Sequence, residues 1–181
     1  MTEIATINWV EKYRPQVLED IILSAETKKM LQTYIDRKTI PNFLFAGSAG
    51  IGKTTTALAI GKALDARVLF IPASYDNSVD VIRGKVKDFC DSYSFDKLKI
   101  VIIDEADALS GGGSTGGGNG ASAQGACRSI IEEASSDTRF ILTCNYPNKI
   151  IDAVKSRCTP IQFNCSINDI LSKCLNILKA E

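Results

Sequence analysis

Gly47-Ser48-Ala49-Gly50-Ile51-Gly52-Lys53-Thr54 follows the spacing GxxxxGK[ST], behind a short apolar run and ahead of a helix-period pattern. Glycines at this spacing let the backbone wrap closely round an anion. Successive N–H groups and the helix N-terminus then face phosphate oxygens. Lys53 adds a positive charge for the β- and γ-phosphates of a nucleotide such as ATP, and the Thr54 hydroxyl is placed to bind Mg2+. The segment from Gly47 through Gly50, Ile51, Gly52, Lys53 and Thr54 to Thr55 is therefore expected to hold the cofactor.

A second cluster completes this chemistry. Ile100-Val101-Ile102-Ile103-Asp104-Glu105 is an apolar strand pattern ending in two carboxylates. A strand end puts Asp104 at the sheet's carboxyl edge, beside the phosphate loop, where it can hold Mg2+ or a bound water. Glu105, one residue on, suits polarisation of a water that attacks the γ-phosphate. Asn145 follows Phe140-Ile141-Leu142-Thr143-Cys144 and would reach the same edge, either for the γ-phosphate or as a turn residue before Tyr146-Pro147. Arg157 precedes the last strand pattern, either as a surface charge or as a residue completing a neighbouring copy's site.

The 181 residues suffice for one full core, or one domain plus part of another. With 45% hydrophobic and 23% charged residues, the composition is that of a soluble globular protein. No apolar run approaches the roughly 20 residues that span a bilayer, and Met1 to Ile4 opens no secretory signal, so a cytosolic location is expected. The absence of histidine removes Ser-His nucleophiles, histidine bases and histidine-ligated metals. The six cysteines form no CxxC pair and read as reduced, structural thiols.

The elements that must position these groups alternate. Phe43 to Ala46, Val68 to Ile71, Ile100 to Ile103 and Phe140 to Thr143 read as strands buried on both faces, with Thr159 to Phe163 a weaker fifth. Ala25 to Arg37, Lys53 to Leu64, Val79 to Tyr93 and Ala123 to Ala134 carry helical periodicity, and a last helix covers about Ile167 to Lys179. Such alternation predicts an α/β fold, a parallel sheet flanked by helices. One segment departs from it. Gly111 to Gly120 holds seven of the 13 glycines and reads as a flexible tether in place of a native turn or insert.

These residues together resemble the sliding-clamp-loader ATPases of the AAA+ superfamily, of the replication factor C small-subunit type. Trp9-Val10-Glu11-Lys12-Tyr13-Arg14-Pro15 is similar to that family's N-terminal box, and Asp104-Glu105-Ala106-Asp107 to its Walker B form. Thr143-Cys144-Asn145 resembles its sensor 1, and Ser156-Arg157-Cys158 its trans-acting arginine motif. The compact spacing is similar to the T4-like bacteriophage version, with the cellular branches also close.

The resemblance implies an AAA+ P-loop core with five parallel strands, binding ATP and Mg2+. It implies other clamp-loader subunits in a hetero-pentamer, a sliding clamp and primer-template DNA as partners. Val10, Glu11, Lys12, Tyr13 and Ile22 would contact adenine and ribose, whereas Trp9 reads as core packing. Arg83, Lys85 and Lys87, read near one helix face, would follow the DNA backbone, and Arg128 would link DNA to the neighbouring ATP site. Arg157 would act in trans. Residues 1–165 are expected to form the ATPase domain and 166–181 the first helix of an otherwise absent lid. A remodelling motor of the Holliday-junction type and a nucleotide-binding interaction module without turnover are the rival readings. The Gly-rich run sits where the family has a short turn near DNA, which puts DNA coupling there in question.

Overall fold

In a computed structural model the described residues are 9–74, 79–92, 97–110, 123–134 and 137–180. The Gly-rich segment 111–120 lies outside them.

Five strands form one parallel sheet: β1 (Phe43–Ala46), β2 (Arg67–Pro72), β3 (Lys99–Asp104), β4 (Thr138–Cys144) and β5 (Thr159–Gln162), in the order β2-β3-β4-β1-β5. The helices are α1 (Trp9–Lys12), α2 (Ala25–Asp36), α3 (Lys53–Ala63), α4 (Val79–Asp91), α5 (Ala123–Glu133), α6 (Asp152–Lys155) and α7 (Ile167–Ala180). Side-chain alternation divides the core into two layers. Phe43, Phe45, Ile100, Ile102 and Ile141 face α2 and α3, burying Leu31, Ala57 and Ile60. Leu44, Val101, Ile103, Phe140 and Leu142 face the other way, against Val86 of α4, Ile130 and Ile131 of α5 and Val154 of α6.

Asn42, just ahead of β1, ties three strands at their amino ends. Its Oδ1 accepts the Phe140 N–H at 2.9 Å, its carbonyl accepts the Thr159 N–H at 2.7 Å, and its Nδ2 donates to Arg157 O at 3.4 Å. These bonds fix where the three strands start, and so where they end.

Two expectations are corrected. Val68 to Ile71 is not buried on both faces, because β2 is the sheet's edge; Phe70 there is 41% exposed. Trp9 is not core packing: it lies 45% exposed in the short helix α1, away from both layers.

Candidate nucleotide site

The loop after β1 is shaped by close approach. A Cβ on Gly47 would lie 2.5 Å from Ile51 Cδ1 and 2.7 Å from the Phe163 carbonyl oxygen, so only glycine fits there. Gly50 (φ 77°) and Gly52 (φ 92°) hold backbone conformations that side-chain-bearing residues rarely adopt. Gly52 caps α3, its carbonyl accepting the Thr56 N–H and the Thr56 hydroxyl, both at 2.8 Å. The first turn of α3 thereby presents its open N–H groups to the recess above it.

Lys53 is almost fully buried. Its ammonium donates to Gly47 O at 2.8 Å, Ser48 O at 2.7 Å and Asn145 Oδ1 at 2.8 Å. Burial lowers its pKa below the usual lysine value, against the opposing pull of Cys144, Asp104, Asp107 and Glu105. Thr54 Oγ1 in the first turn of α3 and Thr143 Oγ1 near the end of β4 each donate to Asp104 Oδ1, at the end of β3, at 2.6 Å. The Thr143 oxygen also accepts the Glu105 N–H at 3.0 Å. Glu105 is exposed and has a left-handed backbone, φ 55°. The 8%-exposed Asp107 accepts the Asn145 and Tyr146 N–H groups on Oδ2, at 3.3 and 3.1 Å, and so orients the turn that carries Asn145.

Two openings flank the loop. One, of about 320 Å³, is lined by Tyr13, Arg14, Pro15, Lys53, Thr54 and Thr55, with Gly50 and Gly52. The other, of about 280 Å³ and largely apolar, is walled by Tyr13, Ile22, Ile51 and Thr55. Pro15, Asp20, Ile21 and Cys165 also line it, as do Ile170, Lys173 and Ile177 of α7. Cys165 Sγ lies 3.5 Å from Ile22 O and 3.9 Å from Ile51 O, holding the two walls together. A cleft with a polar, glycine-lined half and an apolar half matches a nucleotide, whose phosphates and base need those two surroundings.

The remaining expected residues fall elsewhere. Lys12 is exposed, with its ammonium 5.2 Å from the Tyr13 ring centroid, and the side chains of Val10 and Glu11 lie outside the described residues. Arg83, Lys85 and Lys87 are all exposed on α4. At 100° per residue, Arg83 and Lys87 share one flank, whereas Lys85 turns to the other side of the helix, so the three do not form one face. Arg157 lies at the amino end of β5, where Thr159 pairs with Phe43. It pairs with Glu132, which Arg128 approaches at 3.6 Å, and donates to Ala153 O at 2.6 Å. Four residues of β1, about 13 Å of strand, separate that end from the phosphate loop.

The donor set suits Mg2+. Thr54 and Asp104 offer hard oxygens within one hydrogen bond of each other. Among the described residues no group of three or more Asp, Glu, His or Cys could hold a metal alone. That fits a cation which keeps several waters and takes its other ligands from phosphates.

Over residues 43–165 the sequence matches the model of the ATPase family associated with various cellular activities (AAA). The chain belongs to the AAA ATPase family. This AAA domain is 41% identical over 161 residues to a replication factor C small subunit of Halobacterium salinarum, covering 86% of this chain and 47% of that protein. A Methanococcus maripaludis replication factor C small subunit is 40% identical over 163 residues, covering 86% and 49%. Human replication factor C subunit 5 is 40% identical over 170 residues, covering 90% and 47%. The chain thus spans about half the length of these relatives. Being archaeal and human, they lend no support to a bacteriophage origin. A single-substitution variant of Thermotoga maritima RuvB superposes with a TM-score of 0.67 over 92% of this chain and 55% of that one. At 19% identity this likeness speaks for the fold alone. An AAA ATPase domain binds ATP, and the five-stranded parallel sheet is the one expected.

Sequence reasoning places Asp107 and Thr143 inside motifs without giving either a role, and it misses the residues that α7 adds to the cleft. Asp107 was legible as an acid but not as the anchor of the Asn145 turn. Thr143, a hydroxyl in an otherwise apolar strand, was a signal in itself. Ile170, Lys173 and Ile177 carried none, because only the packing of α7 brings them to the cleft.

Proposed function

We propose that this AAA domain is the ATP-binding and hydrolysing core of a sliding-clamp loader, which opens the polymerase processivity clamp and loads it onto primer-template DNA. The observation that carries the reading is the division of the sheet between its two ends. Lys53, Thr54, Asp104, Glu105 and Asn145 gather at the carboxyl edge, while Arg157, in a clamp-loader-like Ser-Arg-Cys motif, sits at the amino edge. The relatives named replication factor C support the same reading.

In it, the loop N–H groups and Lys53 take the phosphates, and Tyr13 and Ile22 cover the base with Ile51. Thr54 and Asp104 are the oxygens that would hold Mg2+, which supplies charge neutralisation at the phosphates. Glu105 takes the proton of the attacking water, and Asn145 reads the γ-phosphate once Lys53 turns from it toward the anion. Arg157 completes a neighbouring subunit's site. Arg83 and Lys87 of α4, with Lys85 on its other flank, face the DNA backbone. Residues 1–165 form the ATPase unit, and 166–181 open a helical lid whose first helix already walls the base cleft. An intracellular setting, cytoplasmic or nuclear according to the source, follows from the same role.

The test is hydrolysis in an assembled loader, with and without clamp and primer-template DNA. Stimulation by both together, abolished by Glu105→Gln while ATP stays bound, is the expected result. Stimulation by branched DNA without a clamp would transfer the domain to the remodelling motors. Binding without turnover under every condition would make it an interaction module.

A further inference from the structure

β4 carries a hydroxyl at its second-last position. Thr143 is 1% exposed. The β3–β4 register pairs Ile103 with Leu142, which brings Thr143 level with Asp104. Both point to the face covered by α3, where Thr54 lies. The Thr143 oxygen thus has two partners at once. It donates its proton to Asp104 Oδ1 at 2.6 Å, and its lone pair accepts the Glu105 N–H at 3.0 Å.

We propose that Thr143 is a positioning residue for hydrolysis, whose single hydroxyl locks the Mg2+-binding carboxylate and the water-activating residue to each other. The proposal rests on the nucleotide-site reading above. Glu105 has a left-handed backbone, φ 55°, which residues other than glycine avoid and which must be held in place. The Thr143 oxygen is the partner its N–H finds. Turning that backbone toward ordinary φ would swing the Glu105 carboxylate away from the edge where the water must sit. The same hydroxyl shares Asp104 Oδ1 with Thr54, so the carboxylate is gripped from β4 on one side and from the start of α3 on the other. With its proton on Asp104, Thr54 keeps its lone pairs for the cation. Thr143 is itself buried, so a hydroxyl there is costly unless it is paired, and these two bonds are what pair it.

Three readouts separate this role from ordinary packing: ATP affinity without metal, the gain in affinity that Mg2+ gives, and hydrogen exchange at the Glu105 amide. Thr143→Val keeps the shape and removes both bonds; Thr143→Ser keeps the bonds. For Thr143→Val we expect metal-free ATP affinity within about twofold of wild type, since the phosphate loop is untouched. The Mg2+-dependent gain should shrink about tenfold or more, the usual weight of a hydrogen bond to a charged group. Exchange at Glu105 should accelerate about two- to tenfold, the weight of the neutral hydrogen bond between its N–H and the Thr143 hydroxyl. Thr143→Ser should restore both, and single-turnover hydrolysis should follow them. An unchanged Mg2+ gain with an unchanged Glu105 amide in Thr143→Val would overturn the proposal, as would a Thr143→Ser protein that fails equally. If Thr143→Val does not fold, Thr143→Ala is read in the same way. If wild type binds no ATP, the nucleotide reading fails, and the exchange rates alone decide whether the hydroxyl holds Glu105.

Discussion

Lys53 lies beneath its own loop, its ammonium 2.7–2.8 Å from two carbonyls and the Asn145 amide oxygen. Burial lowers its pKa from the usual lysine value of 10.5. Between the lowered value and 10.5 the unfolded chain binds more protons than the folded one. This group's contribution to stability therefore rises with pH across that window. Phosphate affinity moves the other way, because only the protonated amine attracts the anion. Metal-free ATP affinity, measured by titration calorimetry, should begin to fall below pH 10.5, and Lys53→Arg should flatten that fall. A second test concerns the thiols. Burial pushes Cys127 and Cys144 up to about 11 and Cys158 to about 12, so the thiolate is scarce at pH 8. Native alkylation followed by mass spectrometry should mark exposed Cys174 first and spare those three. At this scale the sequence told which residues are chemically capable and which edge they share. It did not tell that Asn145 accepts from Lys53, since that pairing depends on how deeply the lysine is drawn under its loop.

Among the elements, the phosphate loop separates two demands on glycine. At Gly47 lack of space is added to an unfavourable φ of 153°, with Ile51 Cδ1 and the Phe163 backbone already in the way. At Gly50 nothing lies within 4 Å, and only φ 77° resists a side chain. Gly50→Ala should cost about 1 kcal/mol by denaturant unfolding, the strain of that backbone region. Gly47→Ala should cost more and also weaken ATP binding, because the loop must move away from β5. The strands were legible because four short apolar runs, rich in β-branched and aromatic residues, recur between helix-period segments. Their order was not. Val68-Leu69-Phe70-Ile71 reads like a central strand, and only tertiary pairing makes it the edge. The four-residue helices α1 and α6 span barely one turn, too little for any period to register, which is why Trp9 read as core.

For the whole molecule, the decisive feature is the distance between Arg157 and the chain's own phosphate loop. If Arg157 serves a neighbour, hydrolysis must depend on protein concentration. Its removal should lower the assembled rate by roughly 10³ to 10⁵ while leaving ATP binding intact. Dilution series and Arg157→Ala, read by single-turnover hydrolysis, check this; a rate indifferent to dilution would refute it. All five strands run the same way, so the nucleotide edge and the arginine edge are opposite poles of one body. Two copies related by a twofold axis present the same patch to each other and cannot satisfy both poles at once. If Arg157 serves a neighbour, the contacts that join these poles must be heterologous, building a closed ring or an open arc. An open arc of n copies contains n − 1 completed sites, with a bare nucleotide at one end and an idle arginine at the other. Its two ends are therefore chemically distinct, and growth or capping at one need not occur at the other.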